Sequence, residues 1–374
     1  MSFLVYNFKN GVYNTIIVSS TRLSKKFTID NKLVNKFQTG AFKNMEKELS
    51  TREKVLNTLK QNPNTFVSGQ EIADTLFLTR AGIWKAIKSL RESGYNIESV
   101  TNKGYRLICD YDGINIDFIK NSLPDNLSLK YYLYEEVTST NDVAREHANE
   151  KSDLLIISNS QTNGRGRKGR VFFSPKDTGL YFSLLIHPEL PFSKATYITC
   201  IAAESLVLAI KETLGIEVSI KWVNDIFFKD KKIAGILTET FGSLEEEFPE
   251  YIVVGVGVNI YPFVEELPSD IKKRAGFLIK KADNTDNLKN LLCINFIKHF
   301  YVFLSEIDQK TFLDGYRMHS NLIGRYVRIH NDKKPSKKEY ALVTGIDDEC
   351  RLLVTYDDKK TAALTGKEVS VVKY

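Results

Sequence analysis

The chain has 374 residues, of which 43% are hydrophobic and 26% charged, with a formal charge of +6. That length allows two or three domains with packed cores, and it excludes a disulfide framework, because Cys109, Cys200, Cys293 and Cys350 lie far apart without a CxxC pair, a usage that fits a reducing, cytoplasmic compartment. No apolar run approaches the roughly 18 to 20 residues of a membrane span, and His147, His187, His299, His319 and His330 show no metal-ligand spacing.

Residues 1–47 read as a basic extension with no sustained helical or strand period, expected to be disordered. Its first 44 residues hold seven cations (Lys9, Arg22, Lys25, Lys26, Lys32, Lys36, Lys43) against Asp30, a net of +6. From Met45 onward 45 basic residues (52 less 7) balance 45 acidic ones (46 less 1), so the net charge says nothing about the folded body. The leader lacks the apolar core of a secretory signal, and one arginine is poor composition for a transit peptide; Met45 has the look of a conventional start.

Residues 48–110 carry the rhythm of a winged helix-turn-helix. Thr51 to Gln61 places Val55, Leu56 and Leu59 on one helical face. Ser68-Gly-Gln-Glu71 is a capping box opening a helix with Ile72, Ala73 and Leu76. Thr79 caps a third helix with Ile83, Ile87 and Leu90 inward, ended by Gly94. This third helix has Arg80, Lys85, Lys88 and Arg91 with no acid between Thr79 and Arg91, which suits phosphates along a major groove. Tyr95–Val100 and Tyr105–Ile108 flank Asn102-Lys103-Gly104 as a wing with a basic tip. Arg80, Lys85, Lys88 and Lys103 are the candidate DNA contacts; the bland alternative is a small helical domain for dimerisation or lid control.

A connector at 111–127, with a short helix at Ile116–Leu123, leads to a domain at 128–322. Strands are expected at Leu129–Tyr134, Leu154–Ser158, Leu180–Ile186, Val218–Trp222, Ile233–Thr238 and Tyr251–Ile260, with helices from Asn141 and from Ser193 to Leu214. Asp230-Lys-Lys232 reads as a hairpin turn. Close strand pairs favour a mixed, largely antiparallel sheet with helices packed on it. Residues 323–374 hold five short strand candidates, the pattern of a small SH3-like barrel or of an extension of the central sheet.

Residues 161–170 read Gln-Thr-Asn-Gly-Arg-Gly-Arg-Lys-Gly-Arg. Arginines on a glycine-rich backbone suit closure over a small anion, although taken alone the run also fits a solvated loop or a nucleic-acid tail. Core strand candidates on both sides embed it in a folded domain. Three further segments have the composition of a shared site: Thr138-Ser-Thr-Asn141, Lys221-Trp-Val-Asn-Asp225 with Lys232-Ile-Ala-Gly235, and Gly255-Val-Gly-Val-Asn259. Singly, each is equally well an N-cap, a charged strand end or glycines for close strand packing.

In this order and combination the chain resembles the biotin protein ligase family, of the bifunctional bacterial kind that also represses biotin genes, from about residue 48 to the C-terminus. The resemblance implies an α+β multidomain protein, with a winged helix-turn-helix, a central mixed β-sheet ligase domain of the biotin/lipoate type and a C-terminal SH3-like domain. It implies ATP-dependent formation of biotinyl-5′-AMP, then transfer of biotin to a lysine of a biotin carboxyl carrier domain, with Mg²⁺ on the triphosphate. Operator DNA and a homodimer in the adenylate-bound state follow from the same resemblance; a membrane does not. It carries Arg165, Lys232 and Asp225 over as catalytic. Ser139, Thr140, Asn141, Gln161, Arg165, Gly166, Arg167 and Lys232 become biotin contacts, and Arg165, Arg167, Arg170, Asn224 and Asn259 nucleotide contacts. Two departures are Phe172 within Val171-Phe-Phe-Ser-Pro175, where the family often has Trp, and Val223, where Pro is commoner. Competing readings are a repressor without ligase activity, opposed by Arg165 and Lys232; a lipoate-type ligase, opposed by Ser139-Thr140-Asn141 with Gln161; and a monofunctional ligase whose helix-turn-helix no longer represses.

Overall fold

The computed structural model describes residues 2–9, 12–19 and 50–373, apart from 63, 93–94, 109–112, 244, 246, 264–266, 268, 281–286, 332–338 and 367–368. Residues 1–50 and 51–374 are separate units. In the first, β1 (Ser2–Lys9) pairs antiparallel with β2 (Val12–Ser19). This corrects the expectation of a leader without strand pattern; Asn-Gly at 10–11 between two β-branched or aromatic runs was the missed hairpin signal. Residues 20–49 lie outside the described residues.

The second unit opens with α1 (Thr51–Gln61), α2 (Gly69–Leu76) and α3 (Arg80–Glu92), then β3 (Ile97–Val100) and β4 (Gly104–Leu107), which pair as the wing. Val55, Leu59, Ile72, Ile83, Ile87 and Leu90 form its core, the residues the helical spacing placed inward. The Ser68 hydroxyl accepts from the Glu71 amide at 3.0 Å, and Thr79 Oγ1 accepts from the Gly82 amide at 3.1 Å, so both expected caps start their helices. Gly94, expected to end α3, lies outside the described residues.

After α4 (Ile116–Ser122), seven strands form one sheet in the order β5-β6-β7-β11-β10-β9-β8. They are β5 (Leu129–Val137), β6 (Asp153–Gln161), β7 (Gly179–Ile186), β8 (Ser219–Lys221), β9 (Asp225–Phe228), β10 (Lys231–Phe241) and β11 (Tyr251–Asn259). Only β5 and β6 run parallel. The middle strands are apolar at nearly every position because both faces are covered. Leu154, Ile156, Leu185 and Val253 meet Val143 and Ala144 of α5 (Thr140–Glu146) on one face. Leu155, Ile157, Leu184 and Ile252 on the other join the core of α6 (Ala195–Leu214) and α8 (Leu288–Ser305). The short α7 (Ser269–Arg274) precedes α8, and α9 (Phe312–Met318) follows it.

One expectation needs correcting. By length and mean hydropathy (1.3), residues Phe192–Leu214 are long and apolar enough to cross a membrane. Of its most apolar 18-residue window, 67% is buried, which is how the core helix of a domain packed on a sheet behaves.

The last strands, β12 (Tyr326–Asn331), β13 (Glu339–Ile346), β14 (Leu352–Tyr356), β15 (Thr361–Leu364) and β16 (Val369–Lys373), make a separate antiparallel sheet ordered β15-β14-β13-β12-β16. They do not extend the central sheet. Trp222 Nε1 donates to Cys350 O at 2.9 Å, and Tyr197 OH donates to Asp348 O at 3.0 Å, so this sheet is fastened beneath the Lys221–Asp225 tract.

Candidate functional site

The ends of β6, β10 and β11, the start of α5 and the 162–173 loop surround a cavity of about 780 Å³, a size suited to one elongated small ligand. Ser139, Thr140, Asn141, Gln161, Arg165, Gly166, Arg167, Arg170, Asn224, Asp225, Lys232 and Asn259 all line it, so the structure brings together every ligase-site residue singled out from sequence.

Its inner end is polar and buried. Ser139, Thr140 and Asn141 are only 2–3% exposed, and such groups persist in a core only when hydrogen-bonded. Thr140 donates through its amide (2.9 Å) and its hydroxyl (3.2 Å) to Gln161 Oε1, and Gln161 Nε2 donates to Ser174 Oγ at 2.8 Å. The Ser183 hydroxyl stands 2.7 Å from both Thr140 Oγ1 and Asn141 Oδ1. Asn141 Nδ2 donates to Glu239 Oε2 at 2.7 Å. The result is a rigid array of donors and acceptors presented by strands and a helix start.

The glycine-arginine loop is clasped at its base. Gln161 and Phe172 amides donate to Ser174 O (2.9 Å) and Gly164 O (2.8 Å), and the Gly166 amide donates to Arg170 O at 2.7 Å. The left-handed conformations of its tip fall at Lys168 (φ 58°) and Gly169 (φ 71°), so one of the two turn positions is a residue that tolerates this region less readily. Its arginines diverge. Arg165 reaches Asp142 Oδ1 at 2.7 Å and Glu239 Oε1 at 3.2 Å, and the hydrogen bond to Asp142, ahead of the charge of Glu239, raises its pKa further. Arg167 instead donates to Asn224 Oδ1 at 3.2 Å and to the Gly366 carbonyl beyond β15.

Across the cavity, Lys232 Nζ pairs with Asp225 Oδ1 at 2.6 Å. Asn224 Nδ2 donates to Ile236 O at 2.7 Å, tying β9 to β10, and Tyr316 OH donates to Val223 O at 2.9 Å from beneath. The Trp222–Val223 peptide is cis. Asn259 Nδ2 donates to Gly276 O at 3.1 Å, while its Oδ1 is buried without a partner among the described residues. An acceptor left open in a cavity wall is an invitation to an amine or amide donor of a ligand.

Sequence reasoning missed two parts of the site. Glu239 and Asp142 hold Arg165, yet nothing in an acid at a strand or helix position announces such a pairing. Lys273 and Arg274 of α7 also line the cavity, and their basic cluster was the available signal. Phe172 lies so close over β11 that a Cβ at Gly257 would sit 2.8 Å from its Cζ, so the glycine at 257 is required by the ring above it.

The helix-turn-helix holds a second, separate set. Arg80, Lys85, Lys88 and Lys103 are all exposed. Arg80 Nε is steadied by Gln70 Oε1 at 2.7 Å, and Lys103 Nζ lies 5.9 Å from the Phe66 ring centroid. Arg91, expected along the same basic face, donates to Ile97 O (2.8 Å) and Ser99 Oγ (2.6 Å), so it fastens the wing to α3.

A cation-lined cavity on a mixed sheet, joined to a winged helix-turn-helix, is the architecture of a ligase with a DNA-binding domain. The Biotin/lipoate A/B protein ligase family matches residues 133–259, and an HTH domain matches residues 51–106. The chain is 32% identical over 311 residues, 81% of its length and 93% of the relative's, to the bifunctional ligase/repressor BirA of Bacillus subtilis. To the protein of that name from Escherichia coli it is 28% identical over 297 residues, 78% and 89% of the two chains. Biotin protein ligase from Aquifex aeolicus, solved with biotin and ATP, superposes with a TM-score of 0.54 at 25% identity, over 66% of this chain and 99% of that one. The chain belongs to the biotin protein ligase family, as a bifunctional ligase and repressor.

Proposed function

We propose that this cavity is where the chain, an ATP-dependent biotin ligase and a repressor of biotin genes, makes biotinyl-5′-AMP and passes biotin to a lysine of a carboxylase carrier domain. The observation that carries this reading is the meeting of the Ser139–Asn141/Gln161 array with Arg165 and Lys232 in one cavity. A ureido ring needs paired donors and acceptors, and the array supplies them at the inner end.

In the first step a biotin carboxylate oxygen attacks the α-phosphorus of ATP and pyrophosphate leaves. Two anions must approach, and pre-positioned cations lower that barrier. Lys232 is the cation for the carboxylate and α-phosphate, already held in place by Asp225. Arg165, Arg167 and Arg170 answer the phosphates, with Asn224 and the open Asn259 Oδ1 towards the nucleoside. No protein nucleophile is required. In the second step the acceptor lysine amine attacks the acyl carbon, AMP leaves and the amine loses a proton; Asp225 is placed to orient that amine. Loop closure keeps water from the mixed anhydride until then.

Among the described residues no group of three His, Cys, Asp or Glu could hold a metal ion. The proposed Mg²⁺ would ride on the triphosphate oxygens and neutralise the leaving pyrophosphate. The proposed partners are a biotin carboxyl carrier domain and operator DNA, the latter bound by a homodimer in the adenylate-bound state, since a two-fold protein matches a palindromic site. The proposed location is the cytoplasm, in keeping with a repressor that works on chromosomal DNA.

Purified protein is expected to exchange pyrophosphate into ATP in a biotin-dependent manner and to label an apo carrier domain. Activity with lipoate but none with biotin would overturn the reading.

A further inference from the structure

The winged helix-turn-helix exposes three large apolar side chains that its core does not use, Phe77, Trp84 and Val100, and among them only Trp84 lies on α3. Trp84 is 57% exposed on α3, while Ile83, Ala86, Ile87 and Leu90 are buried behind it. One turn before it is Arg80 and one turn after it is Lys88, so the three share a stripe. Lys88 Nζ lies 5.8 Å from the Trp84 ring, and the hydrogen bond from Arg80 to Gln70 sets the stripe beside the first turn of α2. The stripe's first acid is Glu92, 4.0 Å from Lys88 Nζ at the far end of the helix. An indole set among cations suits a polyanion that also offers an apolar edge.

Duplex DNA is such a partner. Its phosphates would meet Arg80, Lys85 and Lys88 but carry no sequence information. In the major groove the thymine C5-methyl is the apolar feature that marks a base. We infer that Trp84 is a specificity-determining residue of the operator complex, packing its indole on a thymine methyl between the phosphate-bound cations. The inference rests on the repressor function above.

The test uses the full chain with biotin and MgATP, and a duplex selected by that protein from a random library. Each thymine is then replaced singly by deoxyuridine, which removes only the methyl group. With the unsubstituted protein, at least one replacement is expected to weaken binding by about tenfold, within the range of a single mismatch. Trp84→Ala should bind the parent duplex about tenfold more weakly and be indifferent to that same replacement, with Trp84→Phe intermediate. The proposal is overturned if Trp84→Ala keeps the full deoxyuridine penalty, whether or not its overall affinity falls, because a folding defect weakens all duplexes alike. Loss of biotin transfer to an apo carrier with the deoxyuridine penalty intact would place the indole at a protein interface and also overturn it. If the unsubstituted chain selects no duplex at all, the repressor function itself fails, a result distinct from the other two.

Discussion

Arg165→Ala separates the two jobs a loop arginine can do. Arg165 bridges Asp142 at 2.7 Å and Glu239 at 3.2 Å, but its side chain is 37% exposed, so solvent screens both pairs. Neither carboxylate is stranded by its removal: Asp142 keeps Arg145, and Glu239 keeps Asn141. The cost to folding should therefore stay below about 1 kcal/mol, or no more than about 4 °C in Tm for a chain of this size. With the adenylate bound, the same guanidinium faces a phosphate in a closed cavity, where a charge-assisted hydrogen bond contributes about 1.5–3 kcal/mol. That corresponds to escape or hydrolysis of biotinyl-5′-AMP roughly 10- to 150-fold faster. The intermediate can be formed with labelled biotin and ATP, then followed by chase with unlabelled biotin and by rapid gel filtration, alongside calorimetry of the free protein. Retention within twofold of the unsubstituted protein would refute the role of Arg165 as a lid over the adenylate. A Tm drop of ten degrees or more would refute the claim that its ion pairs are weak.

Two further outcomes follow from packing and charge. Gly257→Ala puts a methyl group against the Phe172 ring, 2.8 Å from Cζ and 2.9 Å from Cδ1. Overpacking of this kind costs about 1–3 kcal/mol of stability, so Tm measured by calorimetry should fall by roughly 2–12 °C and recover in part in Gly257→Ala with Phe172→Ala; no recovery would show that the clash lies elsewhere. His319, bonded to the buried Glu204 at 2.9 Å, has its pKa raised by that hydrogen bond first and by the charges of Glu204 and Glu217, against burial and Lys211. A raised folded pKa stabilises the fold fully below the ordinary imidazole value and ceases to do so as pH rises through the folded one. Tm should accordingly decline from pH 6 to pH 9 more in the unsubstituted chain than in His319→Gln, and parallel profiles would count against a charged pair.

Most of the candidate site was legible because the residues that meet in the cavity are local in sequence. Ser139 to Asn141, Arg165 to Arg170 and Asn224 with Asp225 each sit on one short segment, and strands such as Leu180–Ile186 are continuous apolar runs. What escaped was set by tertiary contacts. β9 was overlooked because Asp225 to Phe228 is only four residues long; the turn read at Asp230–Lys232 falls one residue earlier, at Lys229 and Asp230, both with positive φ, and Lys231 and Lys232 already belong to β10. α8 carries buried residues on most of its circumference, including Lys289 and Asn290, so its apolar pattern has no clear helical period. Glu239 lies 98 positions from Asn141 and 74 from Arg165, and only the folded sheet brings those three together.

The split in the loop has a thermodynamic consequence. Arg167 holds Asn224, just before β9, and the Gly366 carbonyl, between β15 and β16, with a single guanidinium. Any ligand that draws on this arginine therefore shares an equilibrium with the seating of the C-terminal sheet, and linkage makes that relation reciprocal. If the adenylate tightens the seating by some factor, a change that loosens the C-terminal sheet weakens adenylate binding by the same factor. Substitutions more than a hundred residues away in sequence can thus register as altered affinity for the intermediate without touching the cavity at all.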